Sequence, residues 1–218
     1  GFLKVNNYGI DIWSDDNFFI EDGVVKVNYK PYPSLIKIVK DVRKQGFKGP
    51  LLLRFPHITK KQVKTLFNTF NASIKEYDYK GKFNAVFPLK VNQLPNFIHP
   101  LVSYGKKYNY GLEAGSKAEL IIAMTYNNMG SPITINGFKD KEMIHLCFIA
   151  KSMGHDITVI IEGLNELEMI LEVLKETKME APNVGLRVRL HSGGSGVWAK
   201  SGGIDSKFGL TSTEILEA

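Results

Sequence analysis

The sequence predicts an α/β fold: part of a (β/α)8 barrel of the TIM type, with about five βα units present behind an N-terminal elaboration. Three observations predict it. Short apolar segments recur, each closed by a polar residue. Helix-length amphipathic stretches with readable start signals lie between them. The distance from one strand end to the next stays between 23 and 26 residues, which suits a parallel crossover unit and not a hairpin.

Taken in order, residues 5–29 read as short strands with turns at Asp15-Asp16-Asn17 and Asp22-Gly23. Pro31 and Pro33 break that pattern, and a helix follows through Leu35, Ile36 and Val39 to Gly46. Thr59-Lys60-Lys61-Gln62 opens a second helix, with an apolar stripe of Val63, Leu66, Phe67, Phe70 and Ile74. The recurring strands are Ala85-Val86-Phe87-Pro88-Leu89, 108–112, Ile133-Thr134-Ile135, 157–161 and Val184-Gly185-Leu186. Lys90, Glu113, Asn136, Glu162 and Arg187 close them. Ser116-Lys117-Ala118-Glu119 is a capping box, and Asn165-Glu166-Leu167-Glu168 reads as a similar start. Asp140 precedes a helix carrying Ile144, Cys147 and Phe148, and Gly154 fits its end. Thr211-Ser212-Thr213-Glu214 is a fresh helix start close to Ala218.

Parallel βα units build either an open doubly wound sheet or a closed barrel. Five strands fall about three units short of a barrel's eight. The chain therefore reads as residues 1–56, an elaboration with short strands and a helix, and residues 57–218, an incomplete barrel truncated before its remaining strands. An open five-stranded sheet is the competing architecture.

Composition narrows the function classes. No apolar run reaches the roughly 18 residues that span a bilayer, and Gly1-Phe2-Leu3-Lys4 shows no signal-peptide pattern and reads as trimmed. A lone cysteine, Cys147, excludes an internal disulfide framework and a multi-cysteine zinc site. A reducing, cytoplasmic setting fits. The net charge of +6 comes from lysines spread along the chain, as on a solvated surface. No nucleic acid or membrane partner is expected. A basic binding module is the non-enzymatic alternative.

In parallel α/β folds the reacting groups gather at the C-terminal ends of the strands. Lys90 is the informative one. Set between Leu89 and Val91, it is expected to be partly buried or to point into a cleft. There, desolvation lowers a lysine's pKa, and only the free amine attacks an aldehyde. His57, His99, His145 and His155 show no ligand spacing and read as structural or surface residues; no metal site is assigned. His191-Ser192-Gly193-Gly194-Ser195-Gly196 lacks a nucleotide-loop fingerprint. Residues 191–203 read instead as a flexible active-site loop able to act as a lid.

The segment Ala85-Val86-Phe87-Pro88-Leu89-Lys90-Val91-Asn92-Gln93 resembles the cofactor-lysine motif of the fold-type III pyridoxal-phosphate enzymes, the alanine-racemase-like barrels. More narrowly, the chain resembles the biosynthetic arginine decarboxylases. The likeness continues through 111–120, through Asn136-Gly137-Phe138-Lys139-Asp140, through 185–190, and through 193–210, which closes with Ser206-Lys207-Phe208-Gly209-Leu210. Tyr8-Gly9-Ile10-Asp11-Ile12-Trp13 and Leu53-Arg54-Phe55-Pro56-His57-Ile58 fit it as well. The match covers essentially the whole chain, in order.

The resemblance implies pyridoxal phosphate as cofactor, with Lys90 as the Schiff-base lysine and Glu113 and Arg187 beside the cofactor. It places Glu119, Asn136 and Lys207 near substrate or loop; Glu119 also completes a capping box, and Lys207 equally suits a plain surface. Mg2+ is implied without residues to hold it. The implied reaction is decarboxylation of L-arginine to agmatine and CO2 in polyamine biosynthesis, by a homodimer or higher homo-oligomer. Related decarboxylases of ornithine, lysine or diaminopimelate, and a cofactor-free aldolase-like barrel, are the alternatives. The ring-stacking residue, the phosphate loop, the acid that pairs with the pyridine nitrogen and the C-terminal β-domain would lie beyond Ala218. The 218 residues alone are therefore expected to be inactive.

Overall fold

The computed structural model describes residues 4–5, 11–12, 17–190 and 209–218, in two compact units, residues 1–62 and 63–218. In the first unit, β1 (Lys4–Val5) pairs antiparallel with β2 (Asp11–Ile12), and β3 (Phe18–Glu21) pairs with β4 (Val24–Val27). Asp22 and Gly23 both take positive φ, as a tight two-residue hairpin turn requires. Helix α1 (Leu35–Lys44) starts where the Ser34 hydroxyl accepts the Lys37 N–H, and Gly46 follows its end at φ +92°. Helix α2 (Pro56–Glu76) contains the division between the units. It begins at Pro56 and not at Thr59, because the fixed φ of proline suits a first helical position.

The second unit holds five parallel strands: β5 (Val86–Pro88), β6 (Gly111–Ala114), β7 (Pro132–Ile135), β8 (Asp156–Ile161) and β9 (Asn183–Leu186). Helices α3 (Pro95–Gly105), α4 (Lys117–Tyr126), α5 (Lys141–Ser152) and α6 (Leu164–Thr177) connect them, and α7 (Ser212–Glu217) is the last element. Two features separate a barrel from a doubly wound sheet. The strands lie side by side in strict chain order, β5 to β9, with no reversal at which a doubly wound sheet would switch direction. In addition, alternate residues Leu112, Ala114, Ile133, Ile135, Ile157, Val159 and Ile161 are fully buried in one core with Leu120, Ile144, Cys147, Phe148 and Ile170 of the helices. Glu113, Thr134, Thr158 and Ile160, which alternate with them, are only half-buried on the other face. Helices cover one face of the sheet, as in an arc of a (β/α)8 barrel.

Leu210 adds a sixth position. It pairs in parallel with Val188 through Arg189 N–H to Leu210 O (2.8 Å) and Leu210 N–H to Arg187 O (2.7 Å). Directly before it, Gly209 has φ +87°, and a Cβ there would sit 3.0 Å from the backbone of residues 187–189. Only glycine allows so close an approach. The same holds between β6 and β7, where a Cβ on Gly111 would come 1.9 Å from the Pro132 carbonyl oxygen.

The helix starts at Ser116, Asp140 and Thr211 are capped as the spacing predicts, with Thr211 and Glu214 forming a reciprocal box. Two sequence expectations shift. The segment 108–112 is not one strand. Lys106–Tyr108 is a 3-10 turn ended by left-handed Asn109 (φ 56°), and the Tyr108 ring stacks 4.7 Å from Phe67, so β6 begins only at Gly111. Asn165 is not a cap. Helix α6 starts one residue earlier, behind Gly163, and Glu166 supplies the acceptor for the start of the turn.

Candidate active site

The C-terminal ends of β5 to β9 carry the predicted polar row, and the structure divides it in two. At the end of β5 the buried place belongs to Leu89, which is fully enclosed and whose N–H donates to Glu113 O at 2.9 Å. A turn closed by Val91 N–H on Pro88 O (3.1 Å) then carries Lys90 outward. Lys90 is exposed, so of the two placements its apolar neighbours suggested, partial burial and a cleft, partial burial is not the one adopted; its ammonium has no partner among the described residues. Glu113 lies inside β6, in register with Pro88 and Thr134, and not beyond the strand's end. It is half-buried on the face away from the helices, and its carboxylate has no bond among the described residues. Glu119 is fastened: Oε2 accepts Gly115 N–H (2.7 Å), and Oε1 accepts Gln93 Nε2 (2.9 Å). It braces the start of α4 one residue upstream of a strict capping box.

The other half of the row is interlocked. Gly137 N–H lies within reach of both Asn136 Oδ1 (3.2 Å) and Glu162 Oε1 (3.3 Å), and Arg187 Nη1 donates to the same Glu162 oxygen at 2.6 Å. Asn136, Glu162 and Arg187 therefore meet, whereas Lys90 stands apart. Lys207 and the loop 191–203 lie outside the described residues.

Sequence reasoning missed a pair behind this cluster. Lys139 is fully buried, and its Nζ lies 3.0 Å from Glu166 Oε2, on a side chain only 6% exposed. Lys139 also donates to Gly137 O, and Glu166 Oε2 accepts Glu162 N–H at 2.8 Å. One signal was available in the spacing. Glu166 stands four residues after the strand-end residue Glu162, as Glu119 stands four after Gly115, and each accepts that earlier backbone N–H.

The remaining candidates are quiet. Burial pushes the Cys147 thiol up to about 12, against a smaller opposing pull from the Lys139 charge, so the thiol stays protonated and inert. Burial lowers the pKa of His57, which stacks 4.5 Å from Tyr29, and of His155. His99 and His145 are exposed. No group of three or more His, Cys, Asp or Glu among the described residues is arranged to hold a metal. A cavity of about 560 Å3 lined by Phe67, Phe83, Lys82, Lys106 and Tyr108 lies where the chain enters β5 and β6, the end opposite the polar row. No helix among the described residues is long and apolar enough to cross a membrane.

Residues 61–218 match the pyridoxal binding domain of the pyridoxal-dependent decarboxylases. The chain is 39% identical over 216 residues to a biosynthetic arginine decarboxylase of Bacteroides thetaiotaomicron, and 41% identical over 219 residues to one of Citrifermentans bemidjiense. Each alignment covers 97% of this chain and 34% of the relative, so the chain spans about a third of the length of these relatives. Among solved structures, a biosynthetic arginine decarboxylase from Campylobacter jejuni superposes with a TM-score of 0.87 at 57% identity, over 97% of this chain and 34% of the other. A diaminopimelate decarboxylase from M. jannaschii, 23% identical with a TM-score of 0.68 over 93% of this chain and 43% of the other, shares the fold.

Proposed function

The chain belongs to the pyridoxal-dependent decarboxylases through its pyridoxal binding domain, and from that premise we propose that the protein containing it converts L-arginine to agmatine and CO2 with pyridoxal phosphate, at the entry to polyamine synthesis. The observation that carries this reading is Lys90: an amine without a partner among the described residues, at the end of the first barrel strand, in a chain 57% identical to an arginine decarboxylase across 97% of its length.

The donor set fits the cofactor. It offers a free primary amine for an aldehyde, a half-buried carboxylate on the next strand, and a guanidinium on the last. When bound, pyridoxal phosphate supplies a ring that accepts the electrons left behind as CO2 departs. Lys90 would hold the cofactor through its side-chain amine, the group that combines with an aldehyde. Its solvent-facing turn leaves it room to engage and release. The Glu162 carboxylate aims the Arg187 guanidinium. Glu113 presents its carboxylate on the same face as Arg187. Residues 57–218 are proposed to supply the first units of the barrel and residues 1–56 an elaboration before it. The complete enzyme is proposed to be a cytoplasmic homodimer or higher homo-oligomer.

The test is release of CO2 by the full-length protein from arginine, ornithine, lysine and diaminopimelate. Arginine should be preferred at least about tenfold in kcat/KM. A higher kcat/KM on any of the other three would overturn the substrate assignment. The 218-residue chain alone should release no measurable CO2.

A further inference from the structure

We propose that Lys139 and Glu166 are a positioning pair for this site: their buried ion pair sets the backbone of Gly137 and Glu162, and through the Glu162 carboxylate it aims Arg187. The inference rests on the reading that Arg187 faces the cofactor.

Three observations lead to it. The first is cost. A desolvated ammonium and carboxylate each give up their hydration, and well-packed apolar side chains often fill such a place at no loss of stability. Lys139 is fully enclosed and the Glu166 side chain is 6% exposed, so stability alone does not account for the pair.

The second is where the bonds go. Lys139 donates to Gly137 O, and Glu166 accepts Glu162 N–H at 2.8 Å. Gly137 N–H and Arg187 Nη1 then converge on one oxygen, Glu162 Oε1, at 3.3 and 2.6 Å. The backbone of the residue that holds Arg187 is thus tied to Glu166, and the backbone beside its carboxylate is tied to Lys139.

The third is the matching place two strands away. Glu119 also accepts the backbone N–H four residues before it, and its partner is the neutral amide of Gln93 at 2.9 Å. An amide suffices to brace the start of a helix. The charge at 139 exceeds what bracing requires, and it occurs on the side of the row where a guanidinium has to be held.

The test is a double-mutant cycle in the full-length protein, read as the dissociation constant of pyridoxal phosphate followed by its visible absorbance. Glu166→Gln should weaken binding about five- to tenfold when Arg187 is present, and less than about twofold in the Arg187→Ala background. Equal weakening in both backgrounds, or none in either, overturns the proposal. Lys139→Gln/Glu166→Gln removes both charges while keeping a hydrogen-bonding side chain at each place, and guards against a variant that fails to fold. If this folded, uncharged pair binds the cofactor as tightly as wild type, the proposal also fails. A wild-type protein that binds no pyridoxal phosphate overturns the decarboxylase reading itself, so the two failures are distinct.

Discussion

The two sides of the strand-end row are built on opposite plans. From β7 to β9, Asn136, Gly137, Glu162 and Arg187 share a continuous set of bonds backed by the buried Lys139–Glu166 pair. From β5 to β6, Lys90 is exposed and Glu113 half-buried, and neither side chain has a partner among the described residues. Under the proposed function the difference is a division of labour. A group that must form and break a bond loses by being held in ion pairs, because each tie has to be undone first. A group that acts by its fixed charge gains from them, because a charge aimed in advance needs no reorganisation when the reaction occurs.

The largest effect expected from breaking this contrast is at Lys90. Lys90→Ala in the full-length protein should remove the visible absorbance of the bound cofactor and lower kcat by about a thousandfold or more. Its midpoint of thermal unfolding without cofactor should barely move, since the residue is exposed. A retained absorbance band would move the anchor elsewhere.

The next contrast is between the two ties at the helix starts. Lys139→Met leaves the Glu166 carboxylate buried and unpaired, which should cost about 3–5 kcal/mol. Gln93→Ala removes a hydrogen bond from a neutral amide to the Glu119 carboxylate and should cost about 1.5 kcal/mol. Urea unfolding of the two variants under the same conditions measures the gap, and equal losses would erase the distinction between the ties.

At the seam between β6 and β7, Gly111→Ala drives a methyl group into the Pro132 carbonyl, 1.9 Å away. The strands must part, at about 2–3 kcal/mol, and hydrogen exchange should rise at Leu112 and Ile133 before it rises at Val159.

The smallest effect belongs to the surface counterpart of the buried pair. Lys117 binds Asp140 at 2.7 Å and Glu142 at 2.5 Å. Its hydrogen bond holds the Asp140 carboxyl below the ordinary 3.8. Because that value is depressed on folding, the stability it contributes is present above pH 3.8 and is lost as the pH falls through the lower, folded value. Lys117→Met should therefore lower the unfolding temperature slightly at pH 7 and make no difference near pH 2. Since the pair is exposed, added salt should shrink the effect.

Much of the barrel was legible because its signals are local. Apolar segments of strand length, the caps at Ser116, Asp140 and Thr211, and the even spacing of the strand ends each depend on a few neighbouring residues. The misreadings arose where distant contacts override local pattern. The apolar run at 108–112 suggests a strand, yet the Tyr108 ring is held by Phe67, some forty residues earlier. Lys90 sits between apolar neighbours, yet one turn separates buried Leu89 from its exposed amine. The sixth strand position is a single pairing of Leu210 with Val188, too short to have a periodicity.

By itself, then, the sequence determined the class of fold, the strand-end residues and, by resemblance, the family, because composition, period and motif are properties of short stretches of chain. Only the tertiary structure decided that the strands run in unbroken order with helices on one face, that Arg187 is held by Glu162 while Lys90 is left open, and that Lys139 meets Glu166 out of water. The spacing from Glu162 marks Glu166 as a brace for a helix start, but nothing local marks its meeting with Lys139. Whether a charge is solvated or enclosed depends on what the fold brings around it, and here the partners stand a whole βα unit apart.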